Sequence, residues 1–195
     1  MKTSTFHSDE LFFIISPPAD ILRQIANMKR QVRQSIGRPF EAELSIGHIP
    51  LHKDSGEHVE ASLDVIDSRL SAIDPFEIEI KDFNVFFSSK TIFLDIVNKG
   101  AVHDVFEGIT RLPYDGVPHV TIAKNLAKPD FQKAWSQLTA TPYSTKFICD
   151  HIKVLRRSKR RWMHYTEIPL KSRVNRTALP PEPTLIHVPQ LSYGV

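Results

Sequence analysis

The sequence predicts a domain of the α+β class made of two similar halves, and three observations carry that expectation. Short apolar runs rich in β-branched and aromatic residues alternate along the chain with segments whose apolar residues recur at helical spacing. Their order is strand, helix, strand, helix, two or three strands, helix, strand, helix, two strands, which divides into two halves of like make-up. No predicted strand runs into a glycine-rich turn, so neither a dinucleotide-binding fold nor a P-loop is signalled.

Glu10 to Ser16 (ELFFIIS) is an apolar run stopped by Pro17 and Pro18, and reads as a buried strand. Pro18 suits the first turn of a helix that continues to about Ser35, with Ile21, Leu22, Ile25, Met28, Lys29 and Val32 on one face. Gly37 and Pro39 end it. Phe40 to Leu51 alternates as a strand should, with Gly47 as a bulge or close-approach point, and His52 to Gly56 succeeds it as a loop. Glu57 to Ala72 is a second amphipathic helix built on Val59, Leu63, Ile66 and Leu70. Phe76 to Phe83 alternates strictly, and Asn84 to Phe87 with Thr91 to Val97 reads as a hairpin around Ser88, Ser89 and Lys90. A short helix is expected over Val102 to Leu112, a strand over Pro118 to Lys124, and a helix over Asp130 to Leu138. Tyr143 to Arg156 is strand-rich, and Trp162 to Leu170 closes the sheet. Residues 1–9 read as a flexible N-terminus, 10–170 as the two-lobed domain and 171–195 as a proline-rich tail.

At 195 residues and 22.3 kDa the chain suffices for one well-buried domain. A hydrophobic fraction of 41% and a charged fraction of 24% exclude disordered and fibrous architectures. The longest uncharged apolar run, Leu11 to Pro18, is far short of a bilayer span, and Met1 to Glu10 lacks the apolar centre of a secretory signal. Cys149 is the single cysteine, so no internal disulfide and no thiolate metal site can form, and a reduced compartment, the cytoplasm, is expected. The net charge of +3 is unevenly placed. Lys153, Arg156, Arg157, Lys159, Arg160, Arg161, Lys171, Arg173 and Arg176 face the lone acid Glu167, a run that suits either a polyanion such as RNA or a solvated loop and tail.

Chemistry concentrates at His119-Val120-Thr121-Ile122. Residues two apart on a strand share a face, so the imidazole and the hydroxyl project together while Val120 and Ile122 enter the core. A histidine titrates near neutrality and can move a proton, and a threonine hydroxyl can donate to a phosphate oxygen. Lys124 at the end of the strand, on the opposite parity to Thr121, is a candidate rim contact for phosphate. Tyr114, Phe86 and Phe87 are candidates to stack on a base, although core packing also accounts for the phenylalanines. Arg156, Arg157 and Arg160 are candidates to hold a nucleic-acid backbone. The remaining histidines lack metal-ligand spacing, so neither a metal nor another cofactor is expected.

The Phe-rich opening strand before Pro17-Pro18, the run from Pro75 to Val97, PHVTIAK, TKFICDHIKVLRRS and WMHYTEIPL together resemble the two-histidine phosphoesterase superfamily, the group of 2'-5' RNA ligases and cyclic phosphodiesterases, over roughly residues 10 to 170. The resemblance implies barrel-like antiparallel sheets with outer helices and two His-x-Thr/Ser motifs, one per lobe, facing each other without a metal. It implies general base and general acid roles for the histidines, hydroxyls on the phosphate, and a nucleotide or RNA end carrying a 2',3'-cyclic or 2'-5'-linked phosphodiester as partner. His119 and Thr121 match the second motif. For the first, one register places Ser45 at the hydroxyl and Glu43 where histidine is expected; a carboxylate there would repel a phosphodiester and rarely donate a proton. A second register uses His48, with Pro50 in place of the hydroxyl, and a bulge at Gly47 would turn His48 to the face of Ser45. Catalysis and binding without turnover are both compatible with this departure.

Overall fold

The structure, a computed structural model, describes residues 9–56, 59–158 and 161–171. The expectations for residues 1–8, for the tail beyond Lys171 and for Lys159 and Arg160 lie outside these. Among the described residues the elements are, in order, β1 (Asp9–Ile15), α1 (Ala19–Ile36), β2 (Ile49–Gly56), α2 (Val59–Leu70), β3 (Phe76–Phe86), β4 (Thr91–Ile96), α3 (Lys99–Thr110), β5 (His119–Ala123), α4 (Lys128–Thr139), β6 (Ser144–Cys149), β7 (His151–Ser158) and β8 (Arg161–Pro169).

The strands form two four-stranded sheets, β2-β1-β7-β8 and β5-β4-β3-β6, and every pairing within them is antiparallel. The sheets correspond strand by strand: β1 to β4, β2 to β5, β7 to β3 and β8 to β6. The helices cross between the halves. The helix α1, which leaves the first sheet, packs on α4 and touches β5, whereas α3, which leaves the second, packs on α2 and touches β2. Each sheet is thus covered in part by a helix from the other half. One apolar cluster runs through both, joining Leu11, Phe13 and Ile15 of β1 with Ile21 and Ile25 of α1, Ile92 and Leu94 of β4, Val120 and Ile122 of β5, and Ile152 and Val154 of β7. The result is a curled, half-barrel antiparallel sheet with outer helices, the α+β class expected from the sequence.

The main departure lies between Phe40 and Gly56. The alternating stretch Phe40 to Leu51 is mostly a turn, and β2 begins only at Ile49 and continues through the segment expected to be a loop. Alternation misleads here because Leu44 and Ile46 point to water, 94% and 72% exposed, instead of into a core. A buried lysine holds the turn: Lys29 of α1 donates to the carbonyls of Ala42 and Ser45 at 2.7 Å each and to Ser45 Oγ at 2.8 Å. Ala42 adopts a positive φ of 78°, a left-handed conformation outside the range of regular strand backbone. Gly47 is a close-approach point and not a bulge, since a Cβ there would stand 2.8 Å from Ile25 Cδ1. A smaller difference is that Phe76–Phe86 forms one strand, kinked at Asp82 (φ 56°), where the pairing with β4 slips between Ile80 and Phe83.

Candidate active site

The edge strands β2 and β5 meet, and each is preceded or opened by a histidine on the concave side. His48 immediately precedes β2, and its Nδ1 donates to the carbonyl of Ile46 at 2.8 Å. His119 opens β5, and its Nδ1 donates to the carbonyl of Val117 at 2.7 Å. The two bonds are the same bond, made in each half to the residue two positions back. A carbonyl can only accept, so Nδ1 carries the proton and Nε2 is the basic nitrogen of each neutral ring. Aromatic edges fix both rings: Phe12 stands 5.4 Å from His48, and Phe86 and Phe93 stand 5.1 and 4.9 Å from His119.

Both imidazoles titrate below the ordinary value of 6.5. Burial lowers His48 most, the charges of Lys29, Lys53 and His119 lower it further, and the bond to Ile46 opposes them. Burial also leads for His119, but there the bond to Val117 and the carboxylate of Asp95, its cross-strand partner, favour protonation. The charge of His119 also lowers His48, as expected of two rings carried where the edge strands β2 and β5 meet.

Beyond the histidines, each strand carries an extra residue. In β2 Pro50 pairs with Ile14 and His52 with Phe13, leaving Leu51 unmatched; in β5 Thr121 pairs with Phe93 and Ala123 with Ile92, leaving Ile122 unmatched. Such bulges reverse the parity of the residues beyond them. Lys124 therefore returns to the face of Thr121, contrary to the opposite parity expected of an unbroken strand, and its ammonium meets Glu41 at 3.1 Å. In the same way His52 turns toward Phe13 and Phe106 on the core side, while Lys53 turns toward Phe12 and Trp162. Sequence reasoning misses Lys53 and Trp162 as members of the concave face. The signal that could have found Lys53 is a short repeat, His48-Ile-Pro-Leu-His-Lys53 against His119-Val-Thr-Ile-Ala-Lys124.

The other expected residues divide. Glu43 and Ser45 do not join His119: both line a cleft against α1 with Leu22, Ile25 and Lys29. Glu43 lies 3.8 Å from Arg33, and Ser45 Oγ is occupied by Lys29 and by the carbonyl of Ala42 at 2.9 Å. They are not on a strand, so the register that put Glu43 in place of a histidine is not realised. Tyr114 packs on His103 and Phe106 of α3, at 4.9 and 4.8 Å. Arg157 shares the concave face, over Trp162 and 3.0 Å from Glu10, whereas Arg156 is of opposite parity and lies over Tyr165. Phe86 is part of the wall around His119, and Phe87 is exposed. Among the described residues no group of three or more His, Cys, Asp and Glu side chains is arranged to hold a metal ion, and no helix is long and apolar enough to cross a membrane. Cys149 is buried, and that burial pushes its thiol up to about 12, which leaves it unreactive.

Lys29 supports the turn that delivers His48. Its burial depresses the ammonium from 10.5 to about 8. Between those two values the folded chain has released a proton that the unfolded chain still holds, so this residue makes stability rise with pH across that window. Urea unfolding at pH 7.5 and pH 10 is expected to show that rise in the wild type relative to Lys29→Met. A difference between the two proteins that does not change with pH would mean that Lys29 is not the titrating group.

The family model described as the 2'-5' RNA ligase superfamily matches residues 39–161. No curated protein gives a significant match. Among solved structures, E. coli LigT complexed with ATP superposes with a TM-score of 0.63 at 18% identity, covering 85% of this chain and 99% of that one. The same protein complexed with 3'-AMP gives 0.61 at 17%, covering 85% and 100%. A protein of Thermus thermophilus gives 0.59 at 14%, covering 84% and 99%. These likenesses show the shared fold, and the family match extends over most of the described chain, from the turn before His48 to the start of β8. The chain belongs to the 2'-5' RNA ligase superfamily.

Proposed function

We propose that the protein is a metal-independent phosphodiesterase acting on 2',3'-cyclic or 2'-5'-linked phosphodiesters of a nucleotide or RNA end. The observation that carries this reading is the matched pair His48 and His119, each with Nδ1 committed to a carbonyl and Nε2 left for proton transfer. Three positive neighbours disfavour a proton on His48, which suits it to the base; Asp95 favours one on His119, which suits it to the acid. In hydrolysis of a cyclic phosphodiester, water attacks phosphorus and gives a proton to Nε2 of His48. The bond from phosphorus to one ribose oxygen breaks, and that oxygen takes the Nε2 proton of His119. Thr121, on the face of His119, holds a phosphate oxygen, and Arg157 and Lys124 meet the backbone at the rim. E. coli LigT, of like fold, has been solved with ATP, 3'-AMP and phosphate, ligands that all carry the phosphoryl group this pair would face.

A second reading, binding of the same ligands without turnover, is favoured by Pro50, which offers no hydroxyl where the second lobe has Thr121. Incubation with a 2',3'-cyclic nucleotide, monitored by phosphorus NMR, separates the two. Ring opening that exceeds the uncatalysed rate and disappears in His119→Ala supports the enzyme. Binding with no ring opening supports the second reading.

A further inference from the structure

The two halves repeat a histidine, a bulge three residues on and a lysine five residues on, but they differ in what stands between. Thr121 gives the second lobe a hydroxyl donor, opposite Phe93 and just before its bulge. Pro50 holds the equivalent place opposite Ile14, with neither a hydroxyl nor a backbone N–H to donate. The lysines differ in the complementary sense. Lys124 is neutralised by Glu41 at 3.1 Å, a carboxylate that Asn125 also holds at 2.6 Å. Lys53 has no ion pair among the described residues, and its ammonium lies 4.9 Å above the ring of Phe12 and 5.6 Å above that of Trp162. Phe12 is also the ring that borders His48, at 5.4 Å.

We infer that Lys53 is the phosphate ligand of the first lobe, supplying from the far side of the bulge the donor that Pro50 lacks; this rests on the reading of the concave face as a phosphodiester site. An ammonium carries three donors and a full charge on a flexible stem, so it meets a phosphate oxygen without the fixed geometry a hydroxyl needs. The aromatic pair keeps the stem extended and the head near His48, and the bulge at Leu51 is what turns it to that face. In an unbroken strand Lys53 would face the core side and His52 would take its place. The first lobe thus exchanges a neutral donor for a cation, which favours a dianionic phosphate more strongly than a hydroxyl does.

The test measures inorganic phosphate binding by calorimetry at low ionic strength, together with KM and kcat for a 2',3'-cyclic nucleotide. Lys53→Met keeps the apolar stem over Phe12 and Trp162 and removes the charge; it is expected to weaken phosphate binding by about tenfold or more. Lys53→Arg is expected to stay within about threefold of wild type, since it retains the charge. Adding Pro50→Thr to Lys53→Met restores part of the loss, and Lys124→Met costs less than Lys53→Met. Phosphate binding by Lys53→Met within about twofold of wild type overturns the inference, as does a wild type that binds no phosphate. Phosphate binding that depends on Lys53 in a protein that opens no cyclic nucleotide sustains the inference and removes the proposed reaction. Ring opening equal in wild type and Lys53→Met does the reverse.

Discussion

Replacing His119 by alanine is expected to lower kcat/KM for a 2',3'-cyclic nucleotide by about 10²- to 10⁴-fold, the range for loss of a positioned proton-transfer group. The leaving oxygen would then depart as an alkoxide, or wait for a proton from water. Alanine also opens a gap beside Phe86 and Phe93, so a second variant isolates the chemistry. His119→Asn keeps an N–H where Nδ1 stood, able to reach the carbonyl of Val117, but has no titrating nitrogen at the position of Nε2. It should melt close to wild type and be as inactive as His119→Ala. His48→Ala should lose activity on a similar scale, and the double variant should fall little below the worse single one, because an acid and a base acting in one step do not add. The direction of the two shifts sets the pH profile. The active form holds one proton between two rings that both titrate below 6.5, so kcat/KM should peak on the acid side of that value and decline toward pH 8. An optimum above pH 8, or His119→Asn within tenfold of wild type, would remove the paired-histidine mechanism.

Phe93→Ala is expected to produce the largest loss of stability among substitutions around the site, about 3–5 kcal/mol. Phe93 sits in β4 between β3 and β5, is 1% exposed, and touches Phe86 at 4.4 Å as well as His119. Its removal subtracts the transfer energy of the ring and leaves a void that two strands held by backbone ladders cannot close. For a chain of this length the melting temperature should fall by about 6–20 °C. Phe87→Ala is the contrast: the side chain is 78% exposed, and the change should stay within about 0.5 kcal/mol. Urea unfolding of the three proteins measures both. A cost below about 1 kcal/mol for Phe93→Ala would mean that the ring is not part of the core.

The residues legible in the sequence are those whose neighbours along the chain decide their place. The run Leu11 to Ile15 is apolar throughout because β1 is a central strand, and the helical spacing from Ile21 to Val32 does describe the buried face of α1. His119 and Thr121 can be placed on one face because nothing interrupts the strand between them. Glu43 and Ser45 fail the same reasoning because the turn they occupy is held by Lys29, more than a dozen residues away on α1. An apolar-polar alternation records which side chains would be buried if a strand formed; it carries no information about a distant ammonium that takes the carbonyls first.

By itself, then, the sequence determined the class of the fold, the position of most elements and the shared strand face of His119 and Thr121, since local patterning governs each of these. Tertiary structure decided what the first lobe contributes. It held Glu43 in a turn against α1, set His48 before β2 with the same Nδ1 bond that His119 makes, and turned Lys53 and Lys124 to the concave face through bulges that arise only when strands pair with their neighbours. The physical reason is that a side chain's face depends on how many residues oppose it across the ladder, and that count belongs to the pair of strands and not to either one.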